Sequence, residues 1–267
     1  MSAVWESVRQ GLPLADVEVI DLHGHLGRCT VPVPDLTVET HMRVMDRIGV
    51  DCAVVSHTHC MSWDPAEGNE EVLRAMRAFP GRLLGYITLW PGDARAVQQE
   101  TELRLRQGFT GIKLHNANGF RYTDAGYAPA FALAHERRLP VLLHTWGDDA
   151  SFEDVRALAP RYPEAAFLLA HAGVIAEDKY IALARDFPNV YLDPTISRTP
   201  RGLWERLVGA VGAEKLTWGS DAIFYSMAPH PGKVAGAKIS EDDQRLILGG
   251  NARRLLDRAR IETVDVG

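Results

Sequence analysis

The sequence predicts an α/β protein, a single (β/α)8 barrel domain over residues 1–267. Three observations carry that expectation. Short apolar or β-branched runs alternate with stretches of helical periodicity along the whole chain, the pattern of a parallel sheet whose crossovers are helices. Eight such runs fit into 267 residues, close to the usual barrel size of about 250. The turn after the first run, HGHLGRCT (23–30), has histidines where a doubly wound nucleotide-binding sheet would carry a glycine-rich phosphate turn.

In chain order, VEVIDLH (17–23) is the first strand and THMRVMDRIGV (40–50) the helix behind it. CAVVSHT (52–58) then pairs with NEEVLRAMRAF (69–79), and LLGYITL (83–89) with ARAVQQETELRLRQG (94–108). GIKLH (111–115) precedes helical spacing over 125–138, and PVLLHT (140–145) precedes FEDVRALA (152–159). AFLLAH (166–171) leads to EDKYIALARDF (177–187), and VYLDPT (190–195) to LWERLVGAVG (203–212). LTWGSD (216–221) is the eighth strand; a loop with Pro229 and Pro231 and a last helix over 240–259 follow. Ser240 caps that helix, and Glu241, Asp242 and Asp243 complement its dipole.

Composition narrows the function. A net charge of −6 and a pI near 5.9 exclude the concentrated basic face of a nucleic-acid binder. Acidic and basic residues alternate, as in EEVLRAMRAF, and read as solvated helix faces. No apolar run approaches the roughly 18 residues of a membrane span, and MSAVWESVRQGLPLADVEV has no secretory pattern. Cys29, Cys52 and Cys60 are odd in number and match no structural zinc spacing, so a cytoplasmic location is expected.

In a barrel the reactive groups sit at the C-terminal ends of the strands. Those ends carry His23 and His25, His57 and His59, Lys113 and His115, His144, His171, Asp193 and Asp221. Only His41, His135 and His230 lie elsewhere, the last in a late loop. Taken singly, each strand-end residue is as well explained as a core or capping group. Together, His23, His25, His144 and Asp221 are nitrogen and oxygen donors converging from three strands, which is the donor set of a catalytic metal with an open position. His171, on the strand after His144, is placed as an acid or base. HTHC (57–60) has no complementary ligands left for a second site and reads as pocket lining. Trp63, Trp146, Phe224 and Tyr225 follow strand ends as aromatic lining, and Arg28, Arg198 and Arg201 are loop cations suited to a substrate carboxylate.

The series DLHGH, GIKLH, LLHT, LAHAG, WGSDA and LGGNARRLL resembles the amidohydrolase superfamily, in particular the amidohydrolase-related branch with aminocarboxymuconate-semialdehyde decarboxylase and γ-resorcylate decarboxylase. The resemblance runs from Asp21 to Leu256 in order. It implies one divalent metal, typically zinc with manganese or cobalt as substitutes, on His23, His25, His144 and Asp221, with His171 as the acid/base. It also implies a binuclear variant in which Lys113 bridges two metals, and homodimers as a common assembly. In the mononuclear case Lys113, His115, Arg28, His57 and Trp146 line the substrate pocket. The expected function is hydrolysis: metal-activated water attacks an amide, ester or lactone carbonyl of a small molecule, Asp221 takes the proton and His171 assists. The alternative is decarboxylation of a small carboxylated substrate by the same residues. The third is a metal-binding barrel without catalysis, disfavoured by the open donor set together with His171.

Overall fold

A computed structural model of the chain describes residues 2–28, 35, 37–61, 64–222 and 225–261; the side chain of Cys60 is also outside the described set. Seven strands run parallel in sequential order: β1 Ile20–Leu26, β2 Cys52–His57, β3 Leu83–Thr88, β4 Gly111–Leu114, β5 Pro140–Leu143, β6 Ala166–Ala170 and β7 Val190–Asp193. The helices are α1 Ala3–Gln10, α2 Val38–Ile48, α3 Pro65–Ala78, α4 Ala94–Arg106, α5 Ala128–Arg137, α6 Asp149–Arg161, α7 Glu177–Asp186, α8 Leu203–Val211, α9 Pro229–Ala235, α10 Glu241–Arg245 and α11 Asn251–Asp257. Side-chain oxygens of Thr37, Asp64, Asp93 and Asp148 cap α2, α3, α4 and α6, which fixes where each crossover turns back. No helix among the described residues is long and apolar enough to cross a membrane.

The strands are buried on both faces, as a parallel sheet lined with helices requires. Ala53, Val55, Ile87, Ile112, Leu114, Phe167 and Leu169 pack outward with the helices. Ile20, Leu22, Val54, Tyr86, Leu142 and Leu168 form a second cluster on the inner face of the curled sheet.

The eighth strand expected over 216–221 is not a regular strand. The segment makes one bridge, Leu216 to Leu192, and Thr217 N donates to Leu192 O at 2.9 Å. On its other side Leu22 N donates to Trp218 O at 3.2 Å and Asp221 N to His23 O at 2.8 Å. It therefore joins β7 to β1 without a full ladder. The reason is local: Ser220 N is taken by the Asp21 carboxylate at 3.0 Å, and Gly219 passes so close to β1 that a Cβ there would lie 2.2 Å from His23 Cβ. Two further elements depart from the sequence expectation. Residues 3–10 form α1, capped by Ser2, and the loop containing Pro229 and Pro231 holds α9. The last helix is also interrupted by a π-turn at Leu246–Gly250.

The first strand was expected to end at His23 but continues to Leu26. Its register against β2 runs Ile20↔Cys52 and Asp21↔Ala53, then Gly24↔Val55 and His25↔Ser56, so β1 contains one extra residue. Such a bulge reverses the in–out parity of the strand. Ile20 and Leu22 face the interior before it, and His25 faces the interior after it, paired with Ser56. An unbulged strand would turn both histidines towards the helices.

Asp21 pins the bulge. Its Oδ1 accepts from His23 N at 2.9 Å and from Ser220 N at 3.0 Å, and its Oδ2 accepts from the Ser220 hydroxyl. Asp21→Ala leaves those two buried amides unpaired. We expect a loss of about 3 kcal/mol, measured as a lowered urea midpoint at unchanged m-value.

Candidate metal centre

Each strand-end donor is aimed by a partner on a neighbouring element. His23 is fully buried, and its Nδ1 lies 2.8 Å from Asp193 Oδ2. Lys113 Nζ stands 3.1 Å from the ring's Nε2, and an ammonium can only donate, so Nε2 presents its lone pair and Nδ1 carries the proton towards Asp193. His171 is fixed in the same way, since its Nδ1 donates to the Thr195 carbonyl and leaves Nε2 open. His25 Nδ1 meets Ser56 Oγ at 3.0 Å, and its Nε2 lies 3.3 Å from Asp221 Oδ1. His23 Nε2 is 3.6 Å from the same oxygen.

Donor atoms of His23, His171 and Asp221 all lie within 4.8 Å of one another, and all three residues are buried. Two donors held about 2.1 Å from one tetrahedral ion stand roughly 3.4 Å apart. The spacings of 3.3 and 3.6 Å at Asp221 Oδ1 match that, and a mixed imidazole–carboxylate set suits zinc or manganese. The residues present therefore fit a divalent cation; among the described residues the close group contains His171, while the expected ligand His144 stands next to it, its ring centroid 4.8 Å from that of His171.

His171 and Asp221 adopt left-handed backbone, with φ of 60° and 53°. That conformation costs a non-glycine residue about 1–3 kcal/mol and concentrates at functional sites. Two of the four described non-glycine residues in that conformation belong to the donor cluster; the others are Arg138 and Ala176.

Burial holds His23, His25, His144 and His171 below the ordinary imidazole value, and pushes His115 down to about 2. The nearby Lys113 ammonium acts in the same direction on each. These rings are neutral at pH 7, the form that ligates metal. Burial works to raise Asp221, but the His25 hydrogen bond and the surrounding His25, His171 and Lys113 outweigh it, so its carboxyl stays below its usual value. Burial pushes Asp21 up to about 6 and Asp193 up to about 8.

His144 packs as a plate. Its ring stacks on His115 with centroids 3.7 Å apart, and Trp146 lies nearly parallel to it, 4° between planes at 6.2 Å. The His171 ring meets His144 edge-on at 4.8 Å and Trp146 at 5.1 Å. Trp146 is 46% exposed, so this stack of parallel rings is open to solvent at its Trp146 end. Lys113 is fully buried with Nζ 3.1 Å from His23 Nε2, so an ammonium and a cation compete for one lone pair.

The remaining expectations divide by place. His57 is buried beside the centre, with Gly27 packed on its ring and His59 against it edge-on at 4.2 Å. Arg28, Arg198, Arg201 and Tyr225 are exposed, and Trp63 and Phe224 lie outside the described residues. Sequence reasoning missed the supports Asp21, Ser56 and Thr195 and gave Asp193 no role. Their signal was present: Asp21 and Asp193 are carboxylates inside otherwise apolar strand runs.

An amidohydrolase family model matches residues 20–258. No curated protein matches the chain in sequence. Among solved structures it is similar to a dihydroxybenzoic acid decarboxylase from a Polaromonas species with bound manganese and the inhibitor 2-nitroresorcinol (TM-score 0.73, 17% identity, 90% of this chain and 97% of that one). It is also similar to a 5-carboxyvanillate decarboxylase from Novosphingobium aromaticivorans complexed with manganese (0.72, 14%, 91% and 96%). A third is a probable 2-pyrone-4,6-dicarboxylic acid hydrolase from Acinetobacter baumannii (0.68, 16%, 90% and 99%). At these identities the likeness carries the fold.

The close approach of residue 219 to His23 is testable. Gly219→Ala is expected to cost about 1–3 kcal/mol of stability through overpacking and to lower metal content, measured by thermal unfolding and elemental analysis.

Proposed function

Because the chain belongs to the amidohydrolase family, we propose that it is a metal-dependent decarboxylase of a small aromatic carboxylate. The observation that carries this reading is the stack of parallel rings formed by His115, His144 and the exposed Trp146 beside the donor cluster. A planar ring fits against such a stack by offset stacking. The manganese-bound decarboxylases among the similar structures support the same reading.

His23, His25, His144 and Asp221 would hold the cation, at the mouth of what we take to be a complete eight-fold barrel. When bound, it supplies a Lewis acid that orients and neutralises the substrate's acidic oxygens. Everything else falls to side chains. The stack positions the ring, and Trp146 restricts water at the mouth. The reaction breaks the carbon–carboxylate bond; its electron pair stays on the ring carbon, CO2 leaves, and the carbon gains one proton drawn ultimately from solvent. His171 Nε2 moves that proton, its ring held by the Thr195 carbonyl behind it.

The second reading is hydrolysis, the first expectation from the sequence, and the hydrolase among the similar structures favours it. There the same residues activate water for attack on a carbonyl.

Product analysis in H2(18)O with metal-loaded protein separates the two. Release of CO2 from a hydroxybenzoate panel without 18O in the organic product supports decarboxylation, and 18O incorporated from lactones or esters sinks it in favour of hydrolysis. His171→Asn should lower kcat by about 10²–10⁴ with metal content retained, whereas His144→Ala should lose metal by elemental analysis.

A further inference from the structure

We propose that His230 is a substrate-binding residue of the same centre, its Nε2 hydrogen-bonding an acidic oxygen of the bound ligand, a carboxylate or phenolate. The proposal rests on the strand-end cluster being the reaction centre, not on which reaction it runs.

The sequence gives little warning of this. His230 sits in PHPG, in what reads as a loop. In the structure it is the second residue of α9 and is only 4% exposed. Its Nε2 has no hydrogen-bond partner among the described residues. Buried polar atoms in native proteins are nearly always paired, and an exception points to a group the protein reserves for something else.

Its placement says for what. Lys233, one turn further along α9, donates from Nζ to the carbonyls of Ile196 and Ser197 and to Thr199 Oγ1. That loop begins at Thr195, whose carbonyl holds His171 Nδ1. Residue 232 approaches Val8 and residue 236 approaches Trp5, both on α1, and Gln244 Nε2 donates to Ala235 O at 3.0 Å. α9 is thus fastened between the loop after β7, α1 and α10. The groups whose charges reach the His230 ring are Lys233, Asp221 and His171. Two of those three belong to the candidate centre. Burial, followed by Lys233, pushes the ring down to about 4, so at pH 7 it is a neutral hydrogen-bonding group and not a cation.

A purely structural histidine is the competing explanation, and three readouts on the full-length, metal-loaded chain separate them. These are metal content, thermal midpoint, and the dissociation constants of salicylate, benzoate and phenol by calorimetry. For His230→Leu we expect metal content unchanged and a thermal midpoint equal to or above that of the parent, because an unpaired buried nitrogen is replaced by a hydrocarbon. Affinity for the probes that bind the parent should fall by about tenfold or more, and His230→Gln, which keeps a donor, should recover part of it. A lowered midpoint in His230→Leu, lost metal, unchanged affinity, or no probe bound by the parent would each overturn the proposal. If the affinities behave as expected but no CO2 is released, the decarboxylase reading fails and the role of His230 stands.

Discussion

One extra residue in the first strand is the constraint on which the centre depends. The inner face of β1 begins with Ile20 and Leu22 and ends with imidazoles, and a regular strand cannot do both in this spacing. The bulge between Asp21 and Gly24 resolves the conflict, and the Asp21 carboxylate holds it by tying His23 N to Ser220 N. That same carboxylate draws the 216–221 segment out of a regular ladder and against His23. Irregularity in one strand and incompleteness in its neighbour thus have a common origin, and together they bring Asp221 within 3.3 Å of His25.

The electrostatics follow from this crowding. Three carboxylates, five imidazoles and an ammonium gather in a volume largely closed to water. Burial opposes every charge there, so it depresses the imidazoles and raises Asp21 and Asp193. Asp221 goes the other way because it alone among these carboxylates touches His25. The outcome is a set of neutral nitrogen donors around one ionised oxygen, a division of roles made by contact rather than by residue type.

Much of this was legible in the sequence. The alternation of runs gave all seven strands, and the concentration of histidines at run ends drew attention to the place where the structure gathers its candidate centre. What stayed hidden has a physical reason in each case. A bulge leaves no mark on an apolar pattern, because the extra residue is as buried as its neighbours. The eighth run looks like a strand, but side-chain partners of Ser220 displace its backbone pairing. α1 is eight residues long, below the length at which a helix holds alone, and it depends on packing with α9 that no local signal shows. The roles of Asp193 and Thr195 are visible only once the sheet curls so that the end of β7 reaches His23 of β1 and Thr195 reaches His171 after β6.

The contact between Asp21 and Ser220 spans 199 residues of chain, and its consequence concerns synthesis. During translation the first seven strands can emerge and pair in order, each with the one before it. The Asp21 carboxylate that holds the bulge lacks its second partner until residue 220 has left the ribosome and closed the seam. A nascent chain therefore carries its β1 histidines through most of its elongation before the candidate centre can be completed.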